Sequence, residues 1–126
     1  MKRRRRYERR YVDVNVLYYY LTANEVFGER AKRLLELYTP GLATSALTVW
    51  LLHVLTGLEE LDAILEEIGV EILPLTARIL RRARLLARPR DYEDRIHLAT
   101  MIENGITIIL SNDKDFDGIA GITRIF

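Results

Sequence analysis

The sequence contains no cysteine and no glutamine. The first absence excludes disulfides and thiolate metal sites, though it does not identify a compartment. The second, with only four Asn and with 16 Arg against 3 Lys, makes a chain poor in thermolabile side chains, compatible with a thermophilic source. No apolar run reaches the ~18 residues of a membrane span. The N-terminus is basic, but no hydrophobic stretch of a secretory signal follows it. A cytoplasmic protein without membrane association is therefore expected. No repeat, low-complexity linker or internal domain boundary breaks the chain.

What is present is a globular composition. The chain has 126 residues, 49% of them apolar, enough for one domain with a core of its own. Its formal charge is only +1, but the charge is unevenly placed. Residues 1–10, MKRRRRYERR, hold seven Lys or Arg and one Glu, which leaves 12 basic and 17 acidic residues in 11–126. The expected organisation is a basic arm over 1–10 and a single acidic domain over 11–126. The arm, with Arg3, Arg4, Arg5 and Arg6, reads either as a solvated terminus or as a weak RNA-binding extension.

Elements alternate along the domain. Strands are predicted at 10–14, 41–45, 70–73, 106–110 and in the final ITRIF. Helices are predicted at 16–22, 27–38, 46–55, 58–69, 77–88 and 91–104. The segment ALTVWLLHVL, 46–55, is almost wholly apolar and is expected to be buried. Leu58, Leu61, Leu65 and Ile68 recur at helical spacing. Thr76 and Asp91 suit helix N-caps, and Gly105 suits a C′ position. ITIIL, 106–110, reads as the central strand, covered on both faces. Strands separated by helices imply an α/β fold with three α/β/α layers and a central parallel sheet.

In such a sheet the ligand site lies beyond the carboxyl ends of the central strands. That rule sorts the acids. Asp13 closes the first strand and Asp113 the strand of 106–110. Asp94 lies in the first turn of the helix feeding that second strand, and Asp115 follows close behind. Carboxylates ~4 Å apart repel by roughly 4 kcal/mol at an effective dielectric near 20. A site of this kind takes up protons or binds a cation. Oxygen-only ligands select Mg²⁺ or Mn²⁺, ions able to clamp phosphate oxygens and activate water. Asp13, Asp94, Asp113 and Asp115 are thus the candidate metal ligands, the first three also the candidate catalytic residues, with the Asn15 amide supporting the turn. Asp91 reads as a cap, and Asp115 and Asp117 read equally as turn formers.

At these residues the sequence resembles the PIN-domain family, specifically its small VapC-type toxin ribonucleases, from about Tyr11 to Phe126. VDVNVL looks like the family's opening D-x-N motif, and DYEDRIHLATMIENGITIILSNDKDF looks like its C-terminal signature. There Asp94 matches the acid before h-l-A, Ser111 and Asp113 match T-x-D, and Asp115 matches a further, less constant acid. The resemblance implies a PIN-like fold and an endoribonuclease that uses Mg²⁺ or Mn²⁺ to hydrolyse RNA. It also implies a small antitoxin protein as partner, and a homodimer. One family feature is missing. The acid usually found six residues after a Ser falls, counting from Ser45, on Leu51. Glu93 or a water would have to compensate. The departure motivates a second reading, an inactive PIN domain that binds RNA or a protein. A third reading, a phosphate-accepting receiver-like domain, would want paired acids near the start, where this chain offers one.

Smaller signals are read as packing first. His53 is expected in the core or at its boundary; His97, three residues after Asp94, reads as packing first and as facing the site second. Trp50 and Tyr18–Tyr20 are expected in the core or an interface. Arg81 and Arg82, with Arg78, Arg84 and Arg88, read as a solvated helix face or a weak RNA contact.

Overall fold

The computed structural model describes residues 7–126; Arg3–Arg6 lie outside the described residues. Strands β1 (Arg10–Val12), β2 (Leu42–Ser45), β3 (Val70–Leu73), β4 (Ile108–Leu110) and β5 (Thr123–Ile125) form one sheet in the order β3-β2-β1-β4-β5. Every pairing is parallel, with Tyr11 opposite Ala43 on one side and Val12 opposite Leu110 on the other. The helices are α1 (Val14–Leu21), α2 (Gly28–Tyr38), α3 (Ala46–Thr56), α4 (Leu61–Glu67), α5 (Ala77–Leu85) and α6 (Tyr92–Glu103).

The two faces of the sheet follow from strand alternation. Val12, Leu42, Val70 and Leu110 point to one side and pack with Leu17, Leu35, Leu52 and Leu65 from α1–α4. Their neighbours Tyr11, Ala43, Leu73 and Ile109 point to the other and meet Leu98 and Met101 of α6. Ile79 and Ala83 of α5 pack there against Ile96 and Ala99. The result is three layers, α/β/α. The chain steps outward from β1 to β3, then returns past β1 to β4 through α5 and α6. That reversal of direction, with parallel strands and right-handed crossovers, requires the returning helices to lie on the opposite face. It also opens a crevice beyond the ends of β1 and β4. Among the described residues, no helix is long and apolar enough to cross a membrane.

Several expectations change. The central strand is β1, with β4 beside it. An apolar run reports cover on both faces, and that does not make a strand the middle one. The first strand stops at Val12, because the Asp13 carboxylate accepts from the Val14 amide (2.8 Å) and starts α1 at once. The fourth helix begins at Leu61, leaving Leu58 exposed. Helix α5 ends at Leu85 rather than Arg88.

The largest change concerns α3. Only Thr48 and Leu52 are buried, while Trp50, Val54 and Leu55 are 61%, 62% and 56% exposed. A helix lying on a sheet turns one stripe inward: Leu47, Val49 and Leu51 flank it half-buried, while Trp50, Val54 and Leu55 face away. The expected caps do form, with Thr76 and Asp91 accepting from Ile79 N (3.2 Å) and Glu93 N (3.0 Å), and Gly105 adopts φ 66°.

The end of the basic stretch joins the body. Arg9 donates to Glu71 (3.2 Å) and to the Asn104 carbonyl (3.0 Å), and Arg10 N donates to Gly41 O (2.7 Å). Gly41 is required there. A Cβ on it would stand 2.8 Å from Glu8 O, and its φ is +124°.

Candidate metal centre

Asp13 leaves the end of β1 already fixed. Its Oδ1 accepts from Val14 N, and its Oδ2 accepts from Ser111 Oγ (2.5 Å) and Asn15 Nδ2 (3.2 Å). Ser111 is the residue after β4, so this bond ties together the ends of the two strands that flank the crevice. Asn15 extends the tie, its Oδ1 accepting from Asn112 N (3.1 Å). Ser111 Oγ also accepts from Asp113 N (2.9 Å), and Asp113 accepts from Asp115 N (2.9 Å), which starts the 3-10 turn Lys114–Phe116. Each of these short polar residues bends the chain just after a strand end.

Asp94 reaches the same place from the first turn of α6. Asp94, Asp113 and Asp115 each offer a carboxylate oxygen, and these oxygens lie within 4.8 Å of one another. Asp94 is buried, Asp113 half-buried and Asp115 exposed. Asp94 carries the electrostatic signature of the crowding. Burial, then the charges of Asp113 and Asp13, raise its pKa from 3.8 to about 7, against a smaller opposing pull from His97. Asp13 therefore stands near enough to be felt, although it is outside the tight trio.

The remaining candidates separate from this group. Glu93 turns toward His97, its Oε2 3.6 Å from Nε2, and the imidazole holds the Glu93 carboxyl below its ordinary range. It does not join the trio. Leu51 is half-buried and packs on the α1–α4 core. His53 bonds the Leu58 carbonyl through Nδ1 (2.8 Å) and stacks on Trp50. Arg82 spends its charge on Glu103 (2.6 Å), which Arg78 also approaches (3.2 Å), and Arg81 is exposed on the same helix. Asp117 pairs through both oxygens with Arg124 (2.8 and 3.1 Å).

Two features of the surroundings were not read from the sequence. Arg124 of β5, besides holding Asp117, donates to the Ser111 carbonyl (3.0 Å) and so braces the loop that carries Asp113. Its only sequence signal is a lone cation in a short apolar strand. Beneath the acids, Tyr11 and His97 are wholly buried and share a 2.6 Å hydrogen bond between the phenol oxygen and Nδ1. It links β1, which leads to Asp13, with α6, which carries Asp94. Burial drives the Tyr11 phenol well above its usual range, so it remains neutral.

A family model for the PIN domain matches residues 10–122. The chain belongs to the PIN-domain family. Its fold is also that of several solved structures. It is similar to a toxin–antitoxin complex from Klebsiella pneumoniae, with a TM-score of 0.71 and 24% identity over 90% of this chain and 94% of that one. It is similar to VapC20 of Mycobacterium tuberculosis, a sarcin–ricin loop cleaving toxin, with a TM-score of 0.66 and 22% identity over 90% and 98%. A DNA-bound VapBC from Salmonella typhimurium matches with a TM-score of 0.62 and 17% identity over 94% and 97%. No curated protein sequence matches the chain. In this PIN domain Asp13, Asp94 and Asp113 stand at one end of the sheet.

Proposed function

We propose that this PIN domain is a metal-dependent endoribonuclease of toxin–antitoxin type, acting in the cytoplasm. The observation that carries the proposal is the convergence of Asp94, Asp113 and Asp115, with Asp13 alongside, at the crevice beyond β1 and β4. The donors are all carboxylate oxygens, the set suited to Mg²⁺ or Mn²⁺. Around an ion bonded at ~2.1 Å, ligand oxygens lie ~3 to ~4.2 Å apart. The trio's oxygens, within 4.8 Å of one another, approach that spacing. Burial first, and then the charges of Asp113 and Asp13, raise the pKa of Asp94, and a bound cation would offset both. The residues therefore fit the ion, and Asp13, Asp94, Asp113 and Asp115 would hold it. When bound, Mg²⁺ or Mn²⁺ supplies Lewis-acid stabilisation of phosphate charge and a water of lowered pKa. The chain's own residues do the rest. Ser111, Asn15 and the Val14 amide orient Asp13 in advance, so little rearrangement is needed when ligand arrives. Asp94 would hold the ion as the carboxylate, giving up the proton that its raised pKa retains near neutrality.

RNA is the proposed substrate, and a small antitoxin and a second copy of the chain are the proposed partners. The toxin–antitoxin complexes among the similar structures support the first partner. The uncovered apolar side of α3, with Trp50, Val54 and Leu55, supports a docked protein in general.

A second reading, an inactive PIN domain kept for binding, is favoured by Leu51, which fills the place of the family's helix acid with an apolar contact. Leu51→Glu separates the two. If the site is a metal centre lacking one ligand, the variant binds Mn²⁺ more tightly and cleaves RNA faster. Its lowered metal-free stability is recovered by added Mn²⁺ through mass action. If the site is defunct, wild type binds no Mn²⁺ at millimolar concentration and the variant is destabilised without rescue. A Mn²⁺ titration by calorimetry, thermal melts with and without metal, and cleavage of a mixed RNA pool decide between them.

A further inference from the structure

We propose that the open cleft between the α5–α6 turn and the 3-10 turn after β4 holds the backbone phosphates of RNA next to the scissile one, through Arg88, Arg90 and Lys114. The inference rests on the ribonuclease reading and names how that site would grip its substrate.

The cleft has a volume of about 710 Å³ and is lined by Arg88, Arg90, Arg95, Lys114, Asp115 and Asp117. Asp115 belongs both to this cleft and to the carboxylate trio. The cleft therefore adjoins the trio, where a phosphodiester would lie.

The charges there are distributed in a particular way. Arg95 does not serve as a free cation. Its guanidinium donates to the carbonyls of Ala83 (3.0 Å), Pro89 (3.2 Å) and Arg90 (2.6 Å), and it closes the end of α5 onto α6. This fixes the turn on which Arg88 and Arg90 stand. Arg88 makes one long contact, to the Gly118 carbonyl at 3.4 Å, which leaves its charge uncompensated. Arg88, Arg90 and Lys114 are exposed, and among the described residues none of the three forms an ion pair. Of the two acids lining the cleft, Asp117 is held by Arg124 through both oxygens, with Lys114 a weaker influence on it, and Asp115 belongs to the carboxylate trio. The Arg78 and Arg82 side chains, by contrast, spend their charge on Glu103. So a rigidly held turn presents unpaired cations within a domain whose residues 11–126 carry 12 basic and 17 acidic side chains.

A polyanion approaching a cluster of carboxylates is repelled unless positive charge lies along its path. Cations at one end of an acidic site meet that need for a chain of phosphates. An acidic protein segment would satisfy the same cations, but it has no reason to be led into the trio. The shared Asp115 favours RNA.

The test uses a labelled single-stranded RNA with a hydrolysis-resistant phosphorothioate backbone, in Mg²⁺, with affinity read by fluorescence anisotropy across a range of KCl concentrations. Single strands lose a slope of about 0.7 in log K against log salt for each phosphate contact removed. The double variant Arg90→Ala/Lys114→Ala should flatten the slope by about 1.4, at unchanged thermal midpoint and undiminished Mn²⁺ binding. Arg90→Glu should weaken binding further, and Arg78→Ala should leave the slope as in wild type. A wild type that does not bind the probe, or a double variant with the wild-type slope, overturns the proposal and leaves the cations to an acidic protein partner. Cleavage of ordinary RNA is scored separately. Cleft-dependent binding without cleavage keeps this inference and removes the enzyme, whereas cleavage with an unchanged slope does the reverse.

Discussion

Helices α3 and α6 exchange the environments their compositions call for. Helix α3, ALTVWLLHVLT, carries two hydroxyls and one imidazole among apolar side chains, yet buries only Thr48 and Leu52. Helix α6, YEDRIHLATMIE, has five ionisable side chains in its first six residues, yet buries Asp94, His97 and Thr100 together with Ile96, Leu98, Ala99 and Met101. The polar groups of α6 are accommodated one by one. Thr100 bonds back to the Ile96 carbonyl (2.8 Å), His97 meets Tyr11, and Asp94 takes up a proton near neutrality. On α3, Trp50, Val54 and Leu55 stay largely exposed among the described residues. Burial of polarity costs stability and is kept here where carboxylates must converge. Exposure of apolar surface costs solubility and is kept where another molecule can cover it.

The sharpest way to break the contrast is Asp94→Asn. Removing a residue that merely supports a metal ligand costs about 10–100-fold in affinity or activity. Removing a proposed ligand should cost at least about 100-fold in RNA cleavage. The metal-free protein should move in the opposite direction. The amide ends the repulsion with Asp113 and Asp13, so its melting temperature at pH 8 should rise. A variant that cleaves as well as wild type would place the chemistry elsewhere.

The same group sets a pH dependence. The folded pKa of Asp94 is raised to about 7 from an ordinary 3.8. Between these values the folded state holds a proton that the unfolded state has released. Metal-free stability therefore falls as pH rises across that window, with a slope approaching ~1.4 kcal/mol per unit, and levels off above about 7. Glu93, held low by His97, acts with the other sign, and its contribution is lost as pH falls through the acid range below 4.5. Mn²⁺ must displace the Asp94 proton, so its apparent affinity should rise up to about tenfold per pH unit below 7 and flatten above. Melts from pH 4 to 9, with and without Mn²⁺, measure both. Asp94→Asn should abolish the slope between pH 4 and 7.

How much of this was legible follows from what each signal encodes. The meeting of Asp13, Asp94 and Asp113 was readable because strand ends and helix starts of a parallel sheet share an edge. Only the parallel run of the strands and the positions of the acids were needed. The capping role of Asp13 was not, since strand and helix abut with no loop between, and alternation alone cannot mark where φ and ψ change. The exposure of α3 was invisible because hydrophobicity measures what a side chain prefers and not what is available to cover it. The Asp117–Arg124 pair depends on β5 lying beside the loop after β4. The Tyr11–His97 bond joins residues 86 apart in the chain. Neither contact has a periodicity to betray it.

That bond gives a smaller, separable effect. Tyr11→Phe leaves His97 Nδ1 without its hydrogen-bond partner, while Nε2 has only the 3.6 Å approach of Glu93 Oε2. An unsatisfied buried polar group costs about 1–3 kcal/mol, read as a lower urea midpoint at constant m. Because the bond joins the strand leading to Asp13 with the helix carrying Asp94, Mn²⁺ affinity should weaken as well, by several-fold. A loss of stability with unchanged Mn²⁺ affinity would make the pair a purely structural clamp.

The smallest expected effect on stability comes from the other helix. Trp50 and Val54 stand one turn apart on the uncovered side of α3. If the isolated domain leaves them in water, Trp50→Ser/Val54→Ser removes little native packing. The thermal midpoint of the monomer should move by no more than about 2 °C, in keeping with the ~0.5 kcal/mol typical of surface changes. Association is where the change should register. A buried Trp anchor at an interface is commonly worth 2 kcal/mol or more, about 30-fold in Kd. Sedimentation equilibrium of wild type and variant over a concentration series reads this directly. Self-association that is weakened tenfold or more at an unchanged midpoint would assign the α3 face to a second copy of the chain. An unchanged association constant would free that face for a different protein. A midpoint lowered by much more than about 2 °C at concentrations where both proteins are monomeric would show these side chains packed inside the domain. The contrast between α3 and α6 would then lose one of its halves.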